Sequence, residues 1–231
     1  SWLSIAIFGS LPFIFSELSL SITDAFFESM SGITTTGSTI IINLDSTPKS
    51  ILLWRAMLQW LGGIGIIVMA ITLMPIMNVG GMQLFKISSN DTNEKILPKT
   101  KEISLRLIII YLFLTLICSF IYKLCGMNLF DSFTHSMTTI ATGGFSNYNE
   151  SIGYFDNVYI EITSIVFILT GSIPFIIYLK FVSGDKKIFF SDTQIKSFLK
   201  IIFFSILILF IYLGLKNRSF SEISLISVSF N

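Results

Sequence analysis

Asp24-Ala25-Phe26-Phe27-Glu28-Ser29-Met30-Ser31-Gly32-Ile33-Thr34-Thr35-Thr36-Gly37-Ser38-Thr39 lies without a gap on Asp131-Ser132-Phe133-Thr134-His135-Ser136-Met137-Thr138-Thr139-Ile140-Ala141-Thr142-Gly143-Gly144-Phe145-Ser146, at an offset of 107 residues. Asp, Phe, Ser, Met, Ile, Thr and Gly coincide at seven of the sixteen positions. A repeat of this kind fixes the architecture before any single element is assigned. In each copy the residues ahead of the Thr/Gly run suit a short helix, which can start on Asp24 or Asp131, where a carboxylate meets the orphan N–H groups of a first turn. About ten to twelve helical residues are too few to cross a bilayer, which takes about 20.

Long apolar runs surround the two copies. The chain has 231 residues, 52% hydrophobic and 13% charged, against about a quarter charged in a soluble domain. Five runs qualify wholly or partly as membrane spans: Trp2 to Phe15, Ile51 to Met77, Leu105 to Leu124, Val158 to Val182 and Phe198 to Leu215. The chain opens inside the first of them, without the basic stretch and cleavage motif of a signal peptide, so the expectation is a chain that begins part-way through a longer one. A net charge of +1 gives no reason to expect nucleic acid. Cys118 and Cys125 form no disulfide framework and have no zinc-type spacing. No nucleophile–base pair or metal cluster stands out, so neither enzyme chemistry nor a cofactor is expected.

The connections are of two kinds. Residues 83–102 and 183–197 are polar and lysine-bearing, with Lys86, Lys95, Lys99, Lys101, Lys186, Lys187 and Lys196. Residues 17–50 and 125–157 are rich in Ser, Thr and Gly and poor in basic residues. The positive-inside rule puts the lysine loops in the cytoplasm, so the Ser/Thr/Gly segments enter from the outer face. Each repeat then reads helix, re-entrant pore helix with a Thr/Gly strip, helix. The expected organisation is a first pore unit over 1–77, a cytoplasmic loop over 78–100, a second pore unit over 101–182, a loop over 183–197 and an incomplete third unit over 198–231. Both units run in the same direction, so their axis lies along the membrane normal. The fold class is an all-α polytopic membrane protein.

Non-helical backbone at membrane depth is tolerated only where protein covers it or where it lines a wet pathway. A strip of carbonyls is a liability in lipid and an asset beside an ion, because its oxygens replace the lost hydration shell. Threonine hydroxyls can brace such a strip, and glycine permits its backbone angles. Alone, a Thr/Gly run reads equally as a helix cap and tight turn; its recurrence at 141–144 favours the strip. The offset pairs Gly37 with Gly144.

These motifs resemble the Trk/Ktr/HKT superfamily of potassium transporters, and within it the bacterial TrkH/TrkG type. Carrying the resemblance are residues 27–37, Trp54-Arg55, Gln59-Trp60-Leu61-Gly62-Gly63-Ile64-Gly65, Pro75, Val79-Gly80-Gly81-Met82-Gln83-Leu84-Phe85, His135 and Ile140 to Ser146, with Ser151-Ile152 and Phe155 beyond. It implies four potassium-channel-like units around one pore, of which this chain carries about half. It also implies potassium as the transported ion, the bacterial inner membrane as location, a homodimer, a cytosolic nucleotide-binding regulatory subunit, and contact with membrane lipid. By position, Thr34, Thr35, Thr36 and Gly37 would form the first filter, and Ala141, Thr142, Gly143 and Gly144 the second. Glycine at 37 resembles the potassium-selective form, since some relatives place serine there and favour sodium. A sodium-selective or nonselective transporter, and a nonconducting fragment or assembly module, remain as alternatives.

Supporting roles are expected for Arg55, Glu28 and His135. Arg55 near the outer end of its helix can snorkel, pair with Glu28 or Asp45, or position the first strip; its charge belongs behind the strip, since it repels cations from a conduit. His135 occupies the place of Glu28 in the second copy and reads best as a packed polar residue. Glu17, Asp45, Glu150 and Asp156 are solvated loop acids that can also draw cations to the mouth. Gly62, Gly63 and Gly65 read as close helix packing.

Overall fold

The computed structural model describes residues 2–77 and 96–217. The chain runs α1 (Trp2–Ile14), α2 (Ile22–Ile33), a 3-10 turn (Leu44–Ser46), α3 (Lys49–Met77), α4 (Ile96–Leu124), α5 (Leu129–Ile140), a second 3-10 turn (Ser151–Phe155), α6 (Val158–Ser172), α7 (Phe175–Val182), α8 (Ile188–Ser191) and α9 (Thr193–Asn217). The described residues are all-α.

The two repeats fold as a three-helix unit and a four-helix unit, each clasping a 12-residue helix, α2 or α5. In the first, Phe13 of α1, Ala25 of α2, and Ile51 and Leu58 of α3 form one buried cluster. In the second, Leu107, Tyr111, Cys118 and Tyr122 of α4 pack on Ile140 of α5, Ile160 and Phe167 of α6, and Phe175 of α7. The faces of α4 follow from helical periodicity. Leu107, Tyr111, Thr115, Cys118 and Tyr122 line its buried side, while Leu105, Ile109, Phe113, Leu116 and Phe120 stay exposed. An exposed apolar stripe of that length suits acyl chains.

Among the described residues, three stretches are long and apolar enough to cross a bilayer: Lys49–Ile67, Glu102–Leu124 and Thr193–Tyr212. The first run, expected to qualify only in part, is the 13-residue helix Trp2–Ile14, and one of the other expected spans differs. The run expected over Val158 to Val182 is two helices meeting at 85°. Pro174 causes the break: it has no N–H to donate, and its ring pushes the preceding residue out of the helical region. Ile173 accordingly has ψ 134°. The Tyr178 hydroxyl donates to the freed Thr170 carbonyl at 2.6 Å.

The expected loop over 78–100 gives way to helix from Ile96, and the loop over 183–197 contains α8 and the start of α9. The Val79 to Phe85 motif and residues 218–231 of the expected third unit lie outside the described residues.

Candidate functional site: the paired re-entrant loops

Both short helices start two residues before the aspartate expected to begin them, and their caps stand three before it. Ser21 caps α2, its Oγ accepting from the Asp24 N–H at 3.1 Å. Asn128 caps α5, its Oδ1 accepting from the Asp131 N–H at 2.9 Å. The readable signal was a capping residue followed three places later by an acid.

The two helices also end alike. The Thr35 N–H donates to Gly32 O and the Thr36 N–H to Ser31 O; the Thr142 N–H donates to Thr139 O and the Gly143 N–H to Thr138 O. This double closure puts the residue after the cap in the left-handed region. That residue is threonine both times, with φ 55° at Thr35 and 52° at Thr142. A β-branched residue there is a genuine outlier, held against about 1–3 kcal/mol of strain. Two residues on, Gly37 (φ 84°) and Gly144 (φ 81°) turn the chain again. Gly144, not Gly143, is thus the geometric match of Gly37. Sequence reasoning reserved unusual angles for glycine and missed the threonines.

The strips touch. A Cβ built on Gly37 would lie 2.0 Å from the Gly143 carbonyl oxygen, so only glycine fits at 37. Thr34 and Thr36 are exposed, whereas Ala141, Gly143 and Phe145 are buried. The Thr34 hydroxyl donates to Met30 O at 2.7 Å and lies 2.8 Å from the Thr36 hydroxyl.

Behind the strips lie Glu28 and His135, both fully buried. Glu28 accepts from the Thr39 hydroxyl at 3.0 Å and the Ile40 N–H at 3.0 Å, and His135 Nε2 lies 3.0 Å from the Ser146 hydroxyl. Thr39 and Ser146 are themselves 107 apart, so each buried polar residue grips the same point after its strip. His135 Nδ1 sits 3.0 Å from the Asp131 carbonyl oxygen. That oxygen only accepts, so Nδ1 carries a proton, and in the neutral ring Nε2 accepts from Ser146. The Asp131 carboxylate accepts from Asn147 Nδ2 at 2.7 Å and from the Tyr148 hydroxyl at 2.8 Å. Burial, and then this carboxylate, raise the Tyr148 phenol above its ordinary range, which keeps it a donor.

Helix α3 belongs to the first repeat but braces the second strip. Arg55 Nε donates to Glu28 at 2.7 Å, the expected pairing. Its Nη1 donates to the Ser146 carbonyl at 2.9 Å, and its guanidinium stacks 4.1 Å from the Phe145 ring centroid, a cation–π contact. The reach expected toward the first strip therefore goes to the residues just past the second. One turn on, Gln59 bonds Gly143 and Phe145. Gly62 abuts the last carbonyl of α2, where a Cβ would come 2.1 Å from Ile33 O; Gly63 faces Ala141. Gly171 plays the Gly62 part in the second unit, 2.6 Å from Ile140 O by the same measure. In the outer loops Asn149 accepts from the Leu44 N–H at 3.1 Å and donates to Asp45. Glu17, Glu150 and Asp156 are exposed.

Among the described residues, no group of three His, Cys, Asp or Glu is placed to hold a metal. The oxygens the strips offer are carbonyls and hydroxyls, neutral hard donors suited to an alkali cation and not to a transition metal.

Comparison with known proteins gives the same architecture. A family model described as TrkH, a cation transport protein, matches residues 1–217. The chain belongs to the TrkH family. It is 40% identical over its whole length to the Trk system potassium uptake protein TrkI of Halomonas elongata, of which it covers 47%. It is also 40% identical to the Trk system potassium uptake protein TrkH of Escherichia coli strain K12, with 99% of this chain and 48% of that protein covered. The crystal structure of the potassium transporter TrkH from Vibrio parahaemolyticus superposes with a TM-score of 0.84 at 38% identity, covering 99% of this chain and 46% of that one. The chain thus spans about half the length of the TrkH-family relatives it matches. Its long apolar helices and this membership make the chain a multi-pass inner-membrane member of a cation-transport family.

Proposed function

We propose that the chain contributes two re-entrant filter loops to a potassium-uptake pore of the inner membrane. A dehydrated monovalent cation passes along Thr34, Thr35, Thr36 and Gly37 on one side and Ala141, Thr142, Gly143 and Gly144 on another, over those backbone oxygens that no side chain ties down; the Gly143 carbonyl, bonded to Gln59, is not among them. The observation that carries this reading is the matched pair of strips, each with a left-handed threonine and glycine two residues apart, lying against one another. Two strained turns at equivalent places are what a fixed row of oxygens needs. Rigid oxygens replace a hydration shell without reorganising around the ion. Potassium is the ion named for the H. elongata and E. coli relatives. Glu28, Arg55 and His135 stay behind the strips as supports: Glu28 neutralises Arg55, and neutral His135 adds no charge to repel a cation. The other half of a full-length subunit supplies the further strips of a closed ring. A second copy of the subunit, a cytosolic nucleotide-binding regulatory subunit and surrounding lipid complete the assembly.

The test is Gly37→Ser in the full-length transporter carrying this chain, expressed in an uptake-deficient bacterium with membrane insertion checked. Potassium uptake in competition with sodium should lose preference for potassium. A conducting variant with unchanged preference sinks the reading.

A further inference from the structure

Gln59 puts a primary amide in the middle of an apolar helix. It is 0% exposed, and burying an amide is costly unless both its ends are paired. Both are, and both partners belong to the other repeat. Nε2 donates to the Gly143 carbonyl at 3.0 Å, and Oε1 accepts from the Phe145 N–H at 3.1 Å. The amide therefore straddles Gly144, the left-handed glycine of the second strip.

That grip has a geometric consequence. In a trans peptide the N–H and the C=O of one plane point in opposite directions, and the described chain has no cis bonds. With the Phe145 N–H aimed at α3, the Gly144 carbonyl on the same plane is turned away from α3. Gly144 is exposed, and a Cβ built on it meets nothing within 4 Å. The Gly143 carbonyl is meanwhile held at the seam, between Gln59 and Gly37. Gly143 has to be glycine for the same reason: a Cβ there would come within 2.4 Å of the Gln59 amide.

We propose that Gln59 is a specificity-determining positioning residue for the transported cation, fixing from the first repeat which carbonyls of the second strip face the ion. The inference rests on the filter reading above and adds to it that the second strip does not hold its own orientation.

The experiment uses the full-length transporter, with uptake normalised to inserted protein and read as potassium preference over sodium. Gln59→Leu removes both bonds at similar volume and should lower the preference about tenfold, as expected for roughly 1–1.5 kcal/mol of lost positioning. Gln59→Glu keeps an acceptor for the Phe145 N–H, loses the donor to Gly143 and should lose less. Gly143→Ala, which displaces the amide, should match Gln59→Leu, and the double variant should be no worse than either single one. Unchanged preference in conducting Gln59→Leu overturns the proposal; if Gly37→Ser lowers preference in the same assay, the filter reading survives that result, and if it does not, both fall. Should Gln59→Leu fail to insert, Gln59→Glu and Gly143→Ala decide in the same way. Failure of all three to insert also overturns it, since that is the behaviour of a purely structural amide.

Discussion

The two re-entrant loops have nearly the same backbone and quite different support. Their caps, closing hydrogen bonds and left-handed turns coincide at an offset of 107 residues. The first strip is partly open, and behind it a buried carboxylate is satisfied by Thr39, Ile40 and Arg55. The second alternates buried and exposed residues, Ala141 and Gly143 against Thr142 and Gly144, and is held from outside its own unit by Arg55, Gln59 and Gly63. The local motif thus specifies the conformation, while the means of holding it differ between copies. The repeats are alike in shape but not interchangeable, because α3 serves both.

Arg55→Leu should break this arrangement most severely. It strands Glu28 as an unpaired buried charge, a change that costs about 3–5 kcal/mol. Thermal unfolding in detergent should show the loss, and Glu28→Gln added to Arg55→Leu should recover part of it; no recovery would mean that the contacts to Ser146 and Phe145 dominate. Next come Gly62→Val and Gly171→Val, each driving a side chain into the last carbonyl of a short helix, α2 or α5, at about 1–3 kcal/mol. Gly62 has the tighter fit, so it should suffer more. Equal losses would remove that distinction between the loops.

Gly37→Ala and Gly144→Ala sharpen the comparison further. Gly144 has open space beside it and bears only the backbone cost of about 1 kcal/mol. Gly37 bears that cost and the collision with Gly143, so its variant should unfold at the lower temperature. The smallest effect is expected from Thr35→Gly and Thr142→Gly, which relieve strain but loosen the unfolded chain, for a net gain of about 0.5–1 kcal/mol. The gain should be similar in both loops, and a gain in one alone would show that the strain is not shared.

Much of this was legible in the sequence because the repeat is local. A short helix followed by Thr and Gly is encoded within sixteen residues, and comparing the copies exposed it. Burial of Glu28 and His135 at equivalent places followed from the same offset. The break at Pro174 was missed because hydropathy sees a continuous apolar run from Val158 to Val182 and does not register one missing N–H. The cross-unit grip of Arg55 and Gln59 was missed for another reason. Nothing in the sequence says that α3 packs against both strips, so Arg55 was naturally read against its own. A glutamine between Leu58 and Trp60 was the available signal, since an amide in an apolar helix implies a partner.

The placement of Gly62 and Gly63 has an electrostatic consequence. These neighbours on α3 touch Ile33 O at the end of α2 and Ala141 at the end of α5, so two helix C-termini converge on one spot. Each carries the negative pole of its macrodipole, equivalent to about half an elementary charge. Together they bring about one negative charge to the start of the strips before any acidic side chain is counted. That attraction is built from peptide groups alone and has no proton to gain or lose at ordinary pH.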